Sequence, residues 1–232
     1  TSLSACQRPA EGTNESAKES IVIGFSQSGT ESSWRKRHTE SIRTELEKEG
    51  YEVLYRNGYM NQERQIQDIR SFIVYQVDAI VFTPLQEDGW EPILEEAANA
   101  GIPVFIVDRH VDLADPSLTH IGPSFKAEGN RAGLYVSNYF KHHENETINV
   151  LELTGLSDTS PTQLRSDGFR ETIKRDYAKN NVTIQVTDAL NGDFIRRKGK
   201  EVIEQYIAEG KMADIDVLFS HNDEMTIGAL EA

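Results

Sequence analysis

Polar and charged side chains suited to binding a ligand follow most of the short apolar runs in this sequence. Carboxylate, guanidinium and amide groups bind adjacent hydroxyls in pairs, and an aromatic ring packs on the C–H face of a sugar ring. The residue types therefore suit a neutral, polyhydroxylated ligand. The positions after the apolar runs are Ser26, Gln27, Glu31, Ser32, Ser33, Trp34, Arg35, Thr83, Pro84, Asp108, Arg109, Thr154, Asp188, His221, Asn222 and Asp223, with Phe194 as a later aromatic residue.

A repeating pattern of strands and helices would bring these positions together. From Ile21 onward, short β-branched apolar runs alternate with segments of helical period, which is typical of an α/β protein with parallel sheets. The carboxyl ends of parallel strands meet at one edge of a sheet, and ligands bind outside that edge. We therefore expect the polar residues that follow the strands to share one site.

The repeating units form two series. The first series has predicted strands at 21–25, 51–55, 79–82 and 103–107, with helices between them and a short strand near 118–121. The second has helices near 127–142, 161–178 and 194–209, strands near 149–153, 182–186 and 216–219, and a last helix from 224. This pattern predicts a flexible tether over 1–20, a first lobe over 21–122 and a second lobe over 123–232. Because the last helix has no cap or breaker, we expect the second lobe to be incomplete.

The composition excludes several classes of protein. Lys and Arg number 24 against 38 Asp and Glu, and the resulting formal charge of -14 disfavours nucleic acid and anionic lipid as partners. No apolar run approaches the ~18 residues that a membrane-spanning helix needs. A single cysteine, Cys6, rules out a disulfide within the chain and a cysteine-based zinc site.

The residues around Cys6 suggest another role for this cysteine. The segment Leu3-Ser4-Ala5-Cys6 resembles the lipobox of bacterial lipoproteins, in which the cysteine becomes lipid-modified, and a linker without apolar period follows it. We therefore expect a lipid anchor at Cys6 and an extracytoplasmic location. An ordinary free thiol in a disordered tail is the alternative.

Structural roles are open for several candidate binding residues. Asp108 and Arg109 would also form a plain ion pair at a strand end, and Trp34 lies in line with the apolar stripe of its helix. The default for Arg165 is a solvated helix face, and Phe194 before a helix would serve as a hydrophobic staple. Their shared location at strand ends favours binding over these single explanations.

Several separated segments resemble the periplasmic sugar-binding proteins of ABC importers, of the ribose and galactose type. They are Val77 to Pro84, Ala100 to Arg109 and His221 to Met225, and the segments Gly24 to Gln27, Glu31 to Arg35, Asp88 to Pro92, Gly192 to Phe194 and Gly199-Lys200 look closest to the galactofuranose-binding branch.

This resemblance implies a type I periplasmic-binding-protein fold, in which two α/β lobes close on a monosaccharide and Gly122 to Ser124 forms the first crossing between them. It further implies a monomer without catalysis, cofactor or metal that delivers its sugar to a membrane permease. An extracellular sensor that presents the bound sugar to a membrane receptor kinase is the alternative. The ligand contacts it implies are Glu31, Ser32, Ser33, Trp34, Arg35, Asp108, Arg109, Arg165, Phe194 and Asn222.

Two other classes of protein fit the sequence less well. An enzyme is disfavoured because Gly24-Phe25-Ser26-Gln27-Ser28 lacks the last glycine of a nucleophile elbow, and because no glycine-rich phosphate loop follows a strand. A transcriptional repressor would need a basic helix-turn-helix, which the twenty residues before the first strand cannot supply.

Overall fold

The structure is a computed structural model that describes residues 20–113, 115 and 118–232. Residues 1–19 of the predicted tether, with the predicted lipidation site at Cys6, lie outside these residues. Within them, no helix combines the length and the apolar character needed to cross a membrane.

The first lobe is built on one parallel sheet. Its strands follow the order β2-β1-β3-β4-β5, and each neighbouring pair is parallel. Three helices connect the first four strands. The elements are β1 (Val22–Gln27), α1 (Ser33–Lys48), β2 (Glu52–Asn57), α2 (Gln62–Tyr75), β3 (Ala79–Phe82), α3 (Glu91–Asn99), β4 (Val104–Val107) and β5 (Thr119–Ile121).

The second lobe repeats the arrangement with a smaller sheet. Its strands follow the order β7-β6-β8, again all parallel. The elements are α4 (Phe125–Tyr139), β6 (Thr147–Thr154), α5 (Ser160–Asn180), β7 (Thr183–Asn191), α6 (Arg196–Ala208), a 3₁₀ turn (Lys211–Asp214), β8 (Val217–Ser220) and α7 (Asp223–Leu230). The predicted α/β fold with two parallel sheets is confirmed.

Apolar side chains on both faces of each sheet explain why the helices pack there. In the first lobe, Phe72 and Ile80 belong to one buried cluster and Phe25 to another. In the second lobe, Leu153 and Phe169 belong to two further clusters. Parallel strands with helices on both faces are buried on both sides, so their sequences read as continuous apolar runs.

Side-chain caps fix where the site-forming helices begin. Ser32, Ser124 and Asn222 each accept a hydrogen bond from the backbone N–H three residues later, at the starts of α1, α4 and α7. Along the chain, α1, α4 and α7 are the helices that follow β1, β5 and β8, each after a short connection. The caps therefore hold the first turns of three helices at the carboxyl ends of the strands.

One strand is longer than the sequence predicts. β7 runs to Asn191 rather than ending at 186, and Thr187 forms a bulge opposite Val150 and Leu151. Asp188 therefore lies inside the strand and not after it, and its carboxylate accepts a hydrogen bond from Tyr206 at 2.7 Å. An edge strand tolerates such polar residues because its outer face meets water.

Candidate functional site

A cavity of about 370 Å³ lies where the two lobes face each other. Contacts between the lobes surround it: His110 N–H donates to Ser160 Oγ at 2.9 Å, and Ser33 N–H donates to Glu224 Oε1 at 3.2 Å. Ser33 does not line the cavity itself. The other nine predicted contact residues do line it, namely Glu31, Ser32, Trp34, Arg35, Asp108, Arg109, Arg165, Phe194 and Asn222.

Three buried ions form the wall of the cavity on the first lobe. Arg35 Nη1 lies 2.8 Å from Asp108 Oδ2, and Arg35 Nε lies 3.4 Å from Glu31 Oε1. All three side chains are at most 8% exposed. The second carboxylate oxygen of Glu31 has no hydrogen-bond partner among the described residues. A buried cluster of this kind is costly unless its remaining polar atoms find partners.

Arg109 extends this wall and faces the second lobe. Its Nη1 donates to the Leu85 carbonyl at 2.9 Å, while its Nε has no partner in the described part of the chain. The guanidinium lies 5.9 Å from the ring centre of Phe194. Burial, together with the positive charge of Arg35, lowers the pKa of Arg109 to about 10. Arg109 therefore keeps its charge near neutral pH, and its guanidinium lies over an aromatic ring of the other lobe.

Asp108 adopts a backbone conformation that few residues tolerate. Its φ is +67°, in the left-handed region that Asn and Asp enter more readily than most residues. This turn places the Asp108 carboxylate against Arg35 and the next side chain, Arg109, against Leu85. The two neighbours do not form the simple strand-end pair with each other that was one interpretation of the sequence.

Trp34 is an exposed wall of the cavity and not part of a buried stripe. Its side chain is 52% exposed, and its ring stacks on His38 with centroids 4.9 Å apart. The Arg35 guanidinium also lies 4.9 Å from its ring centre. The packing interpretation of Trp34 is thus wrong, because the buried residues of α1 are Arg35 and Thr39.

The wall on the second lobe is partly aromatic. Phe194 is 8% exposed, and its ring packs so closely on Gly155 that a Cβ atom there would overlap it. The Phe194 carbonyl accepts a hydrogen bond from Asn222 Nδ2 at 3.2 Å, while Asn222 Oδ1 accepts from Met225 N–H at 3.0 Å. Asn222 therefore caps α7 and holds Phe194 at the same time.

Arg165 is oriented by a residue that the sequence pattern did not single out. Its Nε and Nη2 lie 2.9 and 2.8 Å from Glu128 Oε2, and its guanidinium lies 4.9 Å from the ring centre of Phe125. Arg165 is thus paired rather than part of a solvated face. Phe125 and Glu128 were missed because they start a helix instead of following a strand. The sequence signal that could have found them is Ser124 after Pro123, which marks the start of the helix that carries both residues.

The charges that line the cavity favour a neutral ligand over an anionic one. Five lining carboxylates outnumber three lining guanidiniums, so the site carries net negative charge that repels phosphates and acids. The described residues include no group of His, Cys, Asp or Glu placed to hold a metal ion. The carboxylates are Glu31, Asp108, Glu128, Asp223 and Glu224, and the guanidiniums are Arg35, Arg109 and Arg165.

Comparison with known proteins shows that most of the chain matches one family model. Residues 23–232 match the model of the periplasmic binding protein domain. The galactofuranose-binding protein YtfQ of Escherichia coli is 40% identical over 215 residues, which cover 91% of this chain and 65% of YtfQ. The chain thus spans about two thirds of the length of that relative.

Two of the solved structures that match the chain are similar to it in both fold and sequence. One, from Mycobacterium smegmatis in complex with β-D-fucofuranose, is 39% identical with a TM-score of 0.83 and covers 92% of this chain and 68% of that one. The other is the binding protein of the arabinose ABC transporter of Shewanella sp. ANA-3, bound to α- and β-L-arabinofuranose. It is 35% identical with a TM-score of 0.83 and covers 91% of this chain and 68% of that one.

Proposed function

The chain belongs to the periplasmic binding protein domain family, and from this premise we propose that it captures a neutral monosaccharide in the cavity between its lobes. The buried ion cluster opposite Phe194 carries the proposal. Glu31 Oε2 and Arg109 Nε add an acceptor and a donor without partners among the described residues. A hydroxyl group both donates and accepts, so a sugar suits this pair of atoms.

We propose that the sugar is a furanose, with galactofuranose the foremost candidate. Support comes from the relative named for galactofuranose binding and from the two structures that hold fucofuranose and arabinofuranose. In this proposal Glu31, Asp108, Arg109 and Arg165 bind hydroxyl groups. Trp34 and Phe194 pack on C–H faces of the ring, Arg35 holds Asp108, and Ser32, Ser33 and Asn222 shape the rim.

Binding of this kind does not require the protein to make or break a covalent bond. Contacts shared between two lobes exist only when the lobes are together, so a ligand that bridges them shifts an open–closed equilibrium toward the closed state. The segment 122–124, which connects β5 to α4, is the proposed first hinge crossing. We further propose that the closed state delivers the sugar to the permease of an ABC importer. Presentation to a membrane receptor kinase is the alternative.

A ligand screen of the full-length protein tests the sugar proposal. We expect galactofuranose, arabinofuranose or fucofuranose to raise the unfolding midpoint and to give a saturable calorimetric titration, because ligands that bind the native state stabilise it. Galactose 1-phosphate and galacturonate serve as anionic controls and should give much smaller shifts. Absence of binding to every furanose and pyranose would overturn the proposal, and preference for an anionic sugar would overturn the neutral-ligand argument.

A separate part of the proposal is that a lipid on Cys6 attaches the protein to the outer face of the cell membrane. We propose that the protein is a monomer at that surface. The lipid attachment rests on the sequence pattern around Cys6. The test expresses the full-length precursor in bacteria and partitions it between detergent and water. Cys6→Ala should move the protein from the detergent phase to the aqueous phase, while Ser4→Ala, in the same segment, should not. Equal partitioning of Cys6→Ala and the parent protein would contradict the lipid anchor.

A further inference from the structure

His110 contacts both lobes although it does not line the cavity and the proposed sugar contacts do not use it. It follows Arg109 in the first lobe, and its backbone N–H donates to Ser160 Oγ of the second lobe at 2.9 Å. Its ring stacks on that of His120 in β5, with centroids 3.8 Å apart. The same ring meets Phe125 of α4 nearly edge-on, with centroids 6.3 Å apart and an interplanar angle of 84°. One side chain thus contacts an aromatic ring in each lobe.

The rings of His120, His110 and Phe125 form a row that reaches the proposed sugar site. Phe125 is 2% exposed and lines the cavity, and the Arg165 guanidinium lies 4.9 Å from its ring centre. These spacings are typical of stacked, edge-to-face and cation–π contacts. At the other end of the row, His120 Nε2 donates to the Asp108 carbonyl at 3.1 Å. The row therefore connects β5, the strand before the proposed hinge crossing, to Arg165.

We infer that His110 is a positioning residue for the proposed site, whose neutral ring holds Phe125 and Arg165 of the second lobe against the first lobe. This inference rests on the proposed sugar-binding function. The contacts of His110 with Phe125 and Ser160 exist only when the two lobes are together. They therefore favour the closed state, and with it sugar binding, although His110 does not contact the sugar.

The charged and titratable groups packed around His110 decide how it responds to acid. Burial and the neighbouring His120 lower the pKa of His110 below its ordinary value of 6.5, while Asp108 partly opposes them. With the lobes apart, the ring gains water and its pKa moves back toward 6.5. The open state then binds more protons, so affinity is full above about pH 6.5 and falls as the pH drops below it. Further charged groups near its contacts are the Arg165 guanidinium beyond Phe125 and the Glu87 carboxylate, which hydrogen-bonds to Ser160.

Two substitutions at His110 separate the role of its ring from that of its backbone. Both keep the N–H group that donates to Ser160. His110→Phe retains a flat ring, so we expect a sugar affinity within about threefold of the wild type at pH 7.5. His110→Ala removes the ring, and we expect it to bind at least fivefold more weakly. Wild-type affinity in His110→Ala would overturn the inference.

The pH profile is a readout that a purely structural role of the ring would not change. The measurement is calorimetric titration of the full-length protein, at pH 7.5 and 5.5, with whichever of galactofuranose, arabinofuranose and fucofuranose binds the wild type most tightly. We expect the loss of affinity on acidification to be at least threefold larger in the wild type than in His110→Phe, whose ring takes up no proton. His142→Gln, at an exposed histidine beyond the far end of α4, is the control and should keep the wild-type affinity and profile. A profile as steep in His110→Phe as in the wild type would overturn the inference.

A spectroscopic measurement covers the case in which His110→Ala does not fold. It uses full-length protein labelled with ¹³C-histidine, saturated with sugar, or alone if the wild type binds none. The Cε1–H signal of His110, identified by its loss in His110→Phe, should titrate below 6.5 and should move in Phe125→Leu, which removes the ring of the second lobe. A signal that titrates at or above 6.5, or that Phe125→Leu leaves in place, would overturn the inference. If the wild type binds no sugar, the proposed function fails while this measurement still decides whether His110 joins the lobes.

Discussion

Arg35 and Asp108 meet at 2.8 Å across 73 residues of sequence, and their contact joins the first turn of α1 to the end of β4. Both side chains are nearly excluded from water. Arg35 therefore holds the Asp108 carboxylate in one orientation through Oδ2. The other carboxylate oxygen, Oδ1, is left for a further partner. Charged hydrogen bonds within a buried site are stronger than neutral ones, which makes this pair central to the proposed sugar site.

Asp108→Asn should weaken sugar binding at least tenfold while the protein still folds. Asn tolerates the left-handed backbone at this position, so the change removes the charge and not the turn. Hydrogen bonds to charged groups contribute about 1.5–3 kcal/mol each, which sets the expected loss. Calorimetric titration measures the affinity and circular dichroism the fold. Arg37→Gln, at the exposed Arg37–Glu40 pair, is the control and should bind normally. Unchanged affinity in Asp108→Asn would make the pair purely structural.

Trp34 should report sugar binding by fluorescence. The chain has two tryptophans, and Trp90 is 1% exposed with its Nε1 bonded to the Gln86 carbonyl, whereas Trp34 borders the cavity. We expect a saturable emission change on sugar addition that Trp34→Phe abolishes and Trp90→Phe retains. A change that survives in Trp34→Phe would show that the signal comes from elsewhere.

The sequence was sufficient to predict the residues that follow parallel strands. Asp108, Arg109 and Asn222 come directly after apolar runs, and the geometry of a parallel sheet alone brings such positions to one edge. Two parallel α/β units also follow from the alternation of short apolar runs with helical segments. These features depend on local pattern and on sheet topology, both of which are encoded in short stretches of chain.

Other features depend on packing between elements and were not predictable. Glu128 reaches Arg165 only because α4 and α5 pack closely, and no pattern within α4 marks it as a partner. Asp188 was misplaced because an edge strand with a bulge continues through polar residues. The exposure of Trp34 depends on the rotation of α1 about its own axis against the sheet. Arg35 and Thr39 occupy the buried face of that helix.

Gly129→Ala should lower both stability and sugar affinity. A Cβ atom at Gly129 would overlap the backbone carbonyl of Arg165, so α4 and α5 must move apart. Overpacking of this kind typically costs about 1–3 kcal/mol. It would also separate Glu128 from Arg165. Thermal unfolding and calorimetric titration measure the two effects. Asn138→Ala, on the exposed face of the same helix, should change neither. A Gly129→Ala variant with the stability of the wild type would show that the helices accommodate the methyl group.

Glu224→Gln should speed sugar release by a modest factor. The Glu224 carboxylate accepts from Ser33 N–H, so an anion of the second lobe sits at the amino terminus of α1 in the first. A charge at a helix terminus contributes about 0.3–1 kcal/mol, or about twofold to fivefold in the dissociation rate. Stopped-flow fluorescence measures that rate. Glu231→Gln removes a charge at the other end of α7, where it pairs with Arg196 within the second lobe, and should leave the rate unchanged. Equal rates in wild type and Glu224→Gln would contradict a role for this contact in closure.

Acidification below about pH 6.5 should destabilise the protein in part through His38. Burial and the nearby Arg35 charge lower the pKa of His38 below its unfolded value of 6.5, although Asp108 partly opposes them. The unfolded chain then binds more protons than the folded one between the lowered pKa and 6.5, so stability is present above 6.5 and falls with pH through that window. Since Gln27 Nε2 lies 3.1 Å from His38 Nδ1, protonation would also set two donors against each other. Unfolding midpoints measured between pH 7.5 and 5 should fall less steeply in His38→Gln than in the wild type. A His38→Gln slope equal to the wild-type slope would contradict the assignment.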